Sequence, residues 1–477
     1  MKTKLLLFFF LLNFTLAFSN DWQTSGNYSI SWYNKNESSF IIKTNKELAG
    51  VAYLVNNGFT TFKNKTIIID DDISLEGKLW ISIGFDKDHK FEGTLDGNKH
   101  LISGIYINEN SASGNCGFFG TTKGANINRL RLSGDIELNK FRTNIGSLVG
   151  YCELTNIDYC IINFNIKLDT GSLATTDYSL NMGGLIGQTY NMCRVSYCLF
   201  EGSINAILGD IYEDNYFTKM TSYMGGIVGR TYNSDIICCQ SDAELLRTKL
   251  YRSHNSANYS TNIGGIVGFY SGEKLKYCTS RGKLLGEFYS TNNTIITNTS
   301  LGGIAASCSS PIINCYSPET DFEVYSQSYN TIVYYGGITA SSSDSKFKSN
   351  YSPSDLYVNT SQTKIHGYDG STSFSSQQMT SDNFLEELNM YSVIEDGKAV
   401  WSKETGYPYI PKIYTQGESQ SDEIEHIYSE PYNTKYDVYD LTGKFISKGR
   451  ETNNFECRPG IYIFKSSANK SKKIVVK

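Results

Sequence analysis

Charge, proline and histidine are all scarce in this chain. Only 19% of its 477 residues are charged, and the formal net charge is −5. That balance argues against a nucleic-acid or anionic-membrane partner. The five histidines include no metal-spaced pair, and no Cys-x-x-Cys motif stands beside one, so no metal and no cofactor are expected. Nucleophile elbow, phosphate-binding loop and dinucleotide fingerprint are all missing. Beyond the first 19 residues no apolar run approaches the ~20 residues that span a bilayer. In excess are 35 Tyr, 25 Phe and 42 Gly, a composition suited to many tight turns on extended structure.

The chain is organised around a recurring stretch: Asn181-Met-Gly-Gly-Leu-Ile-Gly187, Tyr223-Met-Gly-Gly-Ile-Val-Gly229 and Asn262-Ile-Gly-Gly-Ile-Val-Gly268. Looser copies begin at Asn144, Ser300 and Tyr335, and a worn one reads Cys116-Gly-Phe-Phe-Gly120. With the residue before the aliphatic pair as register mark, the intervals are 30, 37, 42, 39, 38 and 34. A unit of that size cannot bury its own apolar face, so near-constant repetition predicts stacked coils. The double glycine permits a corner that a Cβ would obstruct. Further short strands follow each mark, as in Ile157-Asp-Tyr-Cys160 and Gly202-Ser-Ile-Asn-Ala206. Three short strands per period describe one coil of a triangular solenoid.

Residues 1–19 have a Lys2/Lys4 start, an apolar Leu5–Leu16 run and a small-x-small Ala17-Phe-Ser19, the pattern of a secretory signal peptide. In residues 20–60, Thr44 and Glu47 form a capping box before Leu48, Val51, Ala52 and Val55, one apolar helical face. Gly58 provides a left-handed stop. A first coil exposes unpaired backbone and apolar side chains, and this helix is expected to cover them. The Asp70–Asp72 run and Asp86-x-Asp88 read as turn formers rather than calcium ligands.

The N-terminal motifs run in order as a capped helix, Trp80-x-x-Ile-Gly84, Phe91-x-Gly-Thr-x-Asp-Gly-x-x-His-x-Ile102 and Gly117-x-Phe-Gly120. With the Gly-Gly-aliphatic repeats that follow, residues 40–415 resemble bacterial surface proteins with GLUG-type repeats. The resemblance implies an all-β right-handed parallel β-helix, some members being adhesin-like. The β-helix is expected over 61–375. Residues 376–415 (Phe384, Leu385 and Leu388 inward, then Trp401 and Tyr407-Pro-Tyr-Ile410) are expected to form a helical C-terminal cap sealing the far end. A polar linker spans 416–422, and 423–477 change character.

That last segment carries Val438-Tyr-Asp-x-x-Gly-Lys444, Pro459-Gly460-Ile461-Tyr462 and the basic strand Lys472-Lys473-Ile-Val-Val-Lys477. It resembles the type A C-terminal sorting domain of the type IX secretion system of Bacteroidota. The resemblance implies a small β-sandwich read by the translocon, with the mature protein secreted or attached to the outer cell surface. A small adhesive β-sandwich is the other reading of these strands.

Eleven cysteines in a secreted chain invite a disulfide reading. Yet Cys160, Cys198, Cys238 or Cys239, Cys278 and Cys315 recur once per coil, which fits a ladder of buried thiols acting as small hydrophobes. Disulfides between neighbouring coils, or as Cys152–Cys160 and Cys308–Cys315, are the alternative.

Insertions fall at one recurring place before the Gly-Gly: 207–222, 247–261 and 287–299. They must emerge along one edge, the usual binding face of a solenoid. Candidate binding residues there are Asp210, Tyr212, Glu213, Asp214, Tyr216, Tyr251, Arg252, His254 and Tyr259, joined by Phe288 and Tyr289. Aromatic and acidic side chains so placed stack on sugars or dock a protein. Polysaccharide lyase or hydrolase chemistry needs clustered carboxylates; Asp210 with Glu213 and Asp214, or Arg252 with His254, come nearest, and no catalytic residue is assigned. The leading expectation is adhesion to a glycan, matrix or surface protein, with a degradative enzyme and a structural spacer as the other readings.

Overall fold

The computed structural model describes residues 21–108, 114–171, 178–209, 218–252, 257–290, 297–327, 331–342, 347–354, 356, 358–360, 364–367, 371–392, 399–416, 436–440, 445–450, 460–466 and 471–476. The chain divides into two units, 1–417 and 418–477. The expected signal peptide lies outside the described residues.

The first unit is an all-β parallel solenoid with few helices. Its strands lie in four parallel sheets of nine, eight, seven and eleven strands. Each coil therefore contributes four strands, not three. One coil runs Tyr178–Gly183, Ile186–Tyr190, Arg194–Ser196 and Leu199–Leu208. The difference lies at the double glycine, where the chain bends sharply enough to split one apolar run between two sheets. A Cβ at Gly184 would stand 2.0 Å from the Gly226 carbonyl, and one at Gly265 would stand 2.1 Å from that of Gly303. Only glycine, or a residue tilted off the column, fits there. Ser147 occupies that place in an earlier coil and turns its hydroxyl into a hydrogen bond to the Gly184 carbonyl.

Inside the stack, equivalent residues form columns. Cys160, Cys198, Cys239, Cys278 and Cys315 are fully buried in one of them, each thiol facing its neighbours on the coils above and below. The ten described cysteines are all buried thiols. Cys152 lies beside Cys193 of the next coil rather than beside Cys160. Burial pushes the Cys198 and Cys278 thiols well above their ordinary range, because a thiolate there would be desolvated.

The residue before each of these cysteines is left-handed. Tyr159, Tyr197, Cys238, Tyr277 and Asn314 have φ of 57°, 53°, 55°, 58° and 50°. Each nevertheless keeps its ladder bond, as in Tyr159 N–H to Ser196 O at 3.0 Å and Tyr277 N–H to Ile313 O at 3.1 Å. The turn aims the cysteine inward and the preceding side chain outward, making an aromatic ridge along one corner.

Helix α1 (Asn45–Asn56) carries the expected capping box and buries Leu48, Val51, Ala52 and Val55. Asn56 fastens it to the first coils, donating to Ser82 O at 2.9 Å and accepting from Gly84 N–H at 2.8 Å. Asp86 acts as a turn former, accepting from the amides of Asp88 (2.8 Å) and His89 (2.7 Å), whereas Asp72 links coils by accepting from the Leu101 amide at 2.8 Å.

Residues 376–416 depart from expectation. They hold helices α2 (Ser376–Met379), α3 (Asp382–Met390) and α4 (Pro411–Tyr414), but the segment runs back along the aromatic corner. Glu387 accepts from the Tyr351 hydroxyl at 3.0 Å, Trp401 Nε1 donates to Asn314 at 2.8 Å, and Tyr316 donates to Pro408 O. Farther back, the Lys412 ammonium covers Tyr197, and Gln416 donates to Tyr159 O at 2.9 Å. The contacts cross five coil steps, about 24 Å at ~4.8 Å each. The described parts of the segment form a lateral strap along the side of the stack. The physical reason is the ridge itself, whose half-covered rings bury against Phe384, Leu388, Val400, Trp401, Ile410 and Ile413.

In the second unit, strands Tyr436–Asp440, Phe445–Arg450, Gly460–Ser466 and Ser471–Val476 form one antiparallel sheet. Gly460, Ile461 and Tyr462 lie on the third strand, and Lys472 and Lys473 on the fourth, opposite Phe464 and Ile463. Pro459 lies outside the described residues.

Trp401 is 2% exposed and wedged against Tyr316, with ring centroids 5.2 Å apart. Trp401→Ala is expected to destabilise the first unit by ~3–5 kcal/mol, read as a lowered urea midpoint.

Candidate functional site

The longest sheet presents the broadest outward face. Its strands alternate: in Ile161–Asp169, Ile162, Phe164, Ile166 and Leu168 point into the core while Asn163, Asn165, Lys167 and Asp169 are exposed. Parallel register extends each outward position into a column. Lys167, Asn205, Arg247 and Leu285 share one, and Ile207, Lys249, Glu287 and Tyr325 another.

At the end of these strands nearest the insertions, Tyr251, Tyr289 and Tyr325 form a shelf over three coils. Centroids are 5.1 Å apart for Tyr251–Tyr289 and 5.6 Å for Tyr289–Tyr325, with interplanar angles of 20° and 44°. Tyr251 and Tyr325 are 39% and 45% exposed. The Lys249 ammonium stands 4.9 Å from both the Tyr251 and Tyr289 centroids, which orders the rings. Arg247 pairs with Glu287, and Lys283 with Glu323 at 2.6 Å. Earlier on the same face, Tyr106, Asn108, Glu137, Asn139, Lys167 and Asp169 line an open groove of about 450 Å³. Tyr106 there donates to Glu137 at 3.1 Å.

Nearer the strap, Glu201 and Asp242 are register partners on adjacent strands, and Arg281 continues their column. Arg281 Nε lies 3.4 Å from Asp242 Oδ1. Buried Gln240 donates to Asp242 Oδ2 at 2.6 Å and to the Tyr414 hydroxyl at 3.2 Å. Glu201 is half-buried without an ion pair of that kind. Burial, then the negative charge of Asp242, hold its carboxyl above the ordinary range, against a hydrogen bond from Asn163 and the charge of Arg131. Two adjacent carboxyl groups in unequal environments are the arrangement that separates an acid from a base.

A further aromatic group, shared between the eight- and seven-stranded sheets, is self-contained. Arg230 lies 4.6 Å from the Tyr223 and Tyr232 rings and 5.6 Å from Phe269, so those faces are already occupied.

Of the residues singled out in the sequence, Tyr251 stands on the exposed shelf. Tyr259 does not: it is 3% exposed, in register with buried Met220 and Thr297 on an inward column. Strand alternation at Ala257–Gly264 turns it into the core. Phe288 is likewise buried, while its neighbour Tyr289 faces out. Asp210, Tyr212, Glu213, Asp214, Tyr216 and His254 lie outside the described residues, as does the Arg252 side chain. The sequence reading missed Tyr325, Lys249 and the Glu201–Asp242–Arg281 column. The last had a signal, since each of its members follows a cysteine of the buried column by three residues. Among the described residues no His, Cys, Asp and Glu group could hold a metal, and no helix is long and apolar enough to cross a membrane.

No family model matches the chain, and neither a curated protein nor a solved structure matches it.

Glu201 gives a pH prediction. Its folded pKa is raised, so between its ordinary value near 4.5 and the raised one the folded state binds more protons than the unfolded state. Stability therefore falls as pH rises through that window. Glu201→Gln is expected to stabilise the protein at neutral pH and to do little in acid, where the carboxyl is already neutral. Denaturant midpoints at the two pH values check this.

Proposed function

We propose that this chain is a secreted or cell-surface-attached binding protein, an adhesin-like β-helix that takes up a glycan or surface-protein ligand on the outer face of its long sheet. The observation that carries the reading is the shelf of Tyr251, Tyr289 and Tyr325: exposed, ordered by Lys249 and adjoining the insertion edge. Exposed aromatic side chains held rigidly lose little entropy on contact and concentrate binding energy. In this reading the stack is a right-handed β-helix of the GLUG type, and α1 covers its first raw edge. The last unit is a β-sandwich sorting domain delivering the chain to the type IX translocon. The ordered N-terminal motifs support the first assignment, and the strand order around Gly460-Ile461-Tyr462 and Lys472-Lys473 supports the last.

The test is a glycan array probed with the full chain and with a Tyr251→Ala/Tyr325→Ala variant. Binding is expected for the parent chain and is expected to fall in the variant by about fivefold or more per ring, at ~1 kcal/mol each. An unaltered binding profile would remove the shelf from the reading.

The carboxylate column favours a second reading, a polysaccharide-degrading enzyme on the same scaffold. Glu201 would act as the acid and Asp242, paired with Arg281 and hydrogen-bonded by Gln240, as its partner. It predicts new reducing ends from pooled polysaccharides, abolished by Glu201→Gln while thermal stability is kept. Binding without turnover would sink it.

A further inference from the structure

The outer face of the long sheet has a period as well as a composition. Its strands repeat every ~4.8 Å along the stack, and the shelf rings follow that step at 5.1 and 5.6 Å. A pyranose unit in an extended chain is about as long as one such step. An extended peptide presents same-face side chains only every ~6.8 Å, so it drifts out of register with the coils after two or three residues. A ligand that lays one unit on each coil, whichever way that unit is turned, must repeat close to the coil step.

The charges on this face narrow the class. Arg247 pairs with Glu287, Lys283 with Glu323 and Arg281 with Asp242, and the adjoining like charges of Glu201 and Asp242 are acidic. With a net charge of −5 over the chain, no field gathers a polyanion here. Among its charges the face also offers neutral hydrogen-bonding groups, Asn163, Asn165 and Ser203. Asn165 donates to Asp135 at 3.1 Å, and Ser203 donates to Asn165 at 3.0 Å. Half-buried Ile207, Leu245 and Leu285 stand within these columns, in register with Lys249, Lys283 and Arg247. Alternating apolar patches and hydroxyl or amide partners are the complement of an uncharged sugar chain.

We infer that the ligand is an uncharged, linear polysaccharide lying lengthwise along the stack, one sugar per coil, from the Tyr106 groove to the Tyr325 shelf. This rests on the binding reading above and adds the ligand's charge, shape and direction. The path covers seven successive strands, from Leu101–Asn108 to Tyr316–Ser326, or about 29 Å at ~4.8 Å per step.

Calorimetric titration of the full chain with β-1,4-linked gluco-oligosaccharides, from disaccharide to octasaccharide, tests it beside an equal-length oligogalacturonate series. Affinity is expected to climb several-fold per added neutral unit and to level off near the hexasaccharide or heptasaccharide. Tyr106→Ala and Tyr325→Ala, at opposite ends of the path, should each shorten the climb, with melting temperatures confirming that both variants fold. Shortening at one end alone overturns the lengthwise path. Binding that ignores length, or that prefers the charged series, overturns the inference and leaves a surface-binding protein standing. If neither series binds and the array with the same protein shows other ligands, the inference fails alone. If the array is also blank, both readings fall.

Discussion

The pitch of the stack governs everything else in the first unit. Parallel coils set equivalent residues ~4.8 Å apart, so whatever a column holds must tolerate a copy of itself at that distance. Glycine does so at the corner, where the neighbouring carbonyl leaves no room for a Cβ. Cysteine does so in the interior because a thiol is small, weakly polar and neutral when buried. Asparagine does so by donating to its own kind, as Asn181 does to Asn144 at 2.8 Å and Asn144 to Asn115 at 2.9 Å. Like charges do so poorly: several outward charges face opposite ones, and where Glu201 adjoins Asp242 its carboxyl is held above the ordinary range.

The strap follows from that constraint too. Carrying the ladder around the corner while aiming a cysteine inward forces left-handed backbone at Tyr159, Tyr197, Cys238, Tyr277 and Asn314, at roughly 1 kcal/mol for each non-glycine residue. The strain recurs in every coil because the pitch allows no coil to relax independently. Its side product is a ridge of large side chains, Tyr159 and Tyr197 stacked at 4.9 Å among them. Residues 376–392 and 399–416 bury that ridge. Their contacts tie Tyr351 at one end to Tyr159 at the other, so nearest-neighbour coils become coupled over long range. A simple solenoid lacks such coupling.

Much of this was legible in the sequence because repetition makes physics visible. The Gly-Gly marks, the once-per-coil cysteines and the capping box at Thr44 and Glu47 each state a local rule, and each rule held. Features outside a repeat were harder. The strap is a single-copy segment, and its helices announce an apolar face without saying which surface receives it. Tyr259 was misplaced because a loop was assumed where the strand Ala257–Gly264 already imposes alternation. The Glu201–Asp242–Arg281 column spans three coils with a different residue in each, so similarity cannot find it. Counting three residues onward from Cys198, Cys239 and Cys278 does.

A solenoid acquires function in the columns that repetition leaves free. The core columns demand sameness, whereas the outward columns are free to vary residue by residue provided neighbours do not repel. Variation at fixed spacing turns a structural repeat into a ruler carrying different groups at equal steps: a tyrosine groove at one end, paired charges and amides in the middle, a tyrosine shelf at the other. A compact ligand would use one step of that ruler and gain nothing from the rest. A chain with a matching repeat uses every step, and weak contacts then combine along its length as linked sites do. The pitch that fixes the interior therefore also selects the kind of molecule the exterior is best built to hold.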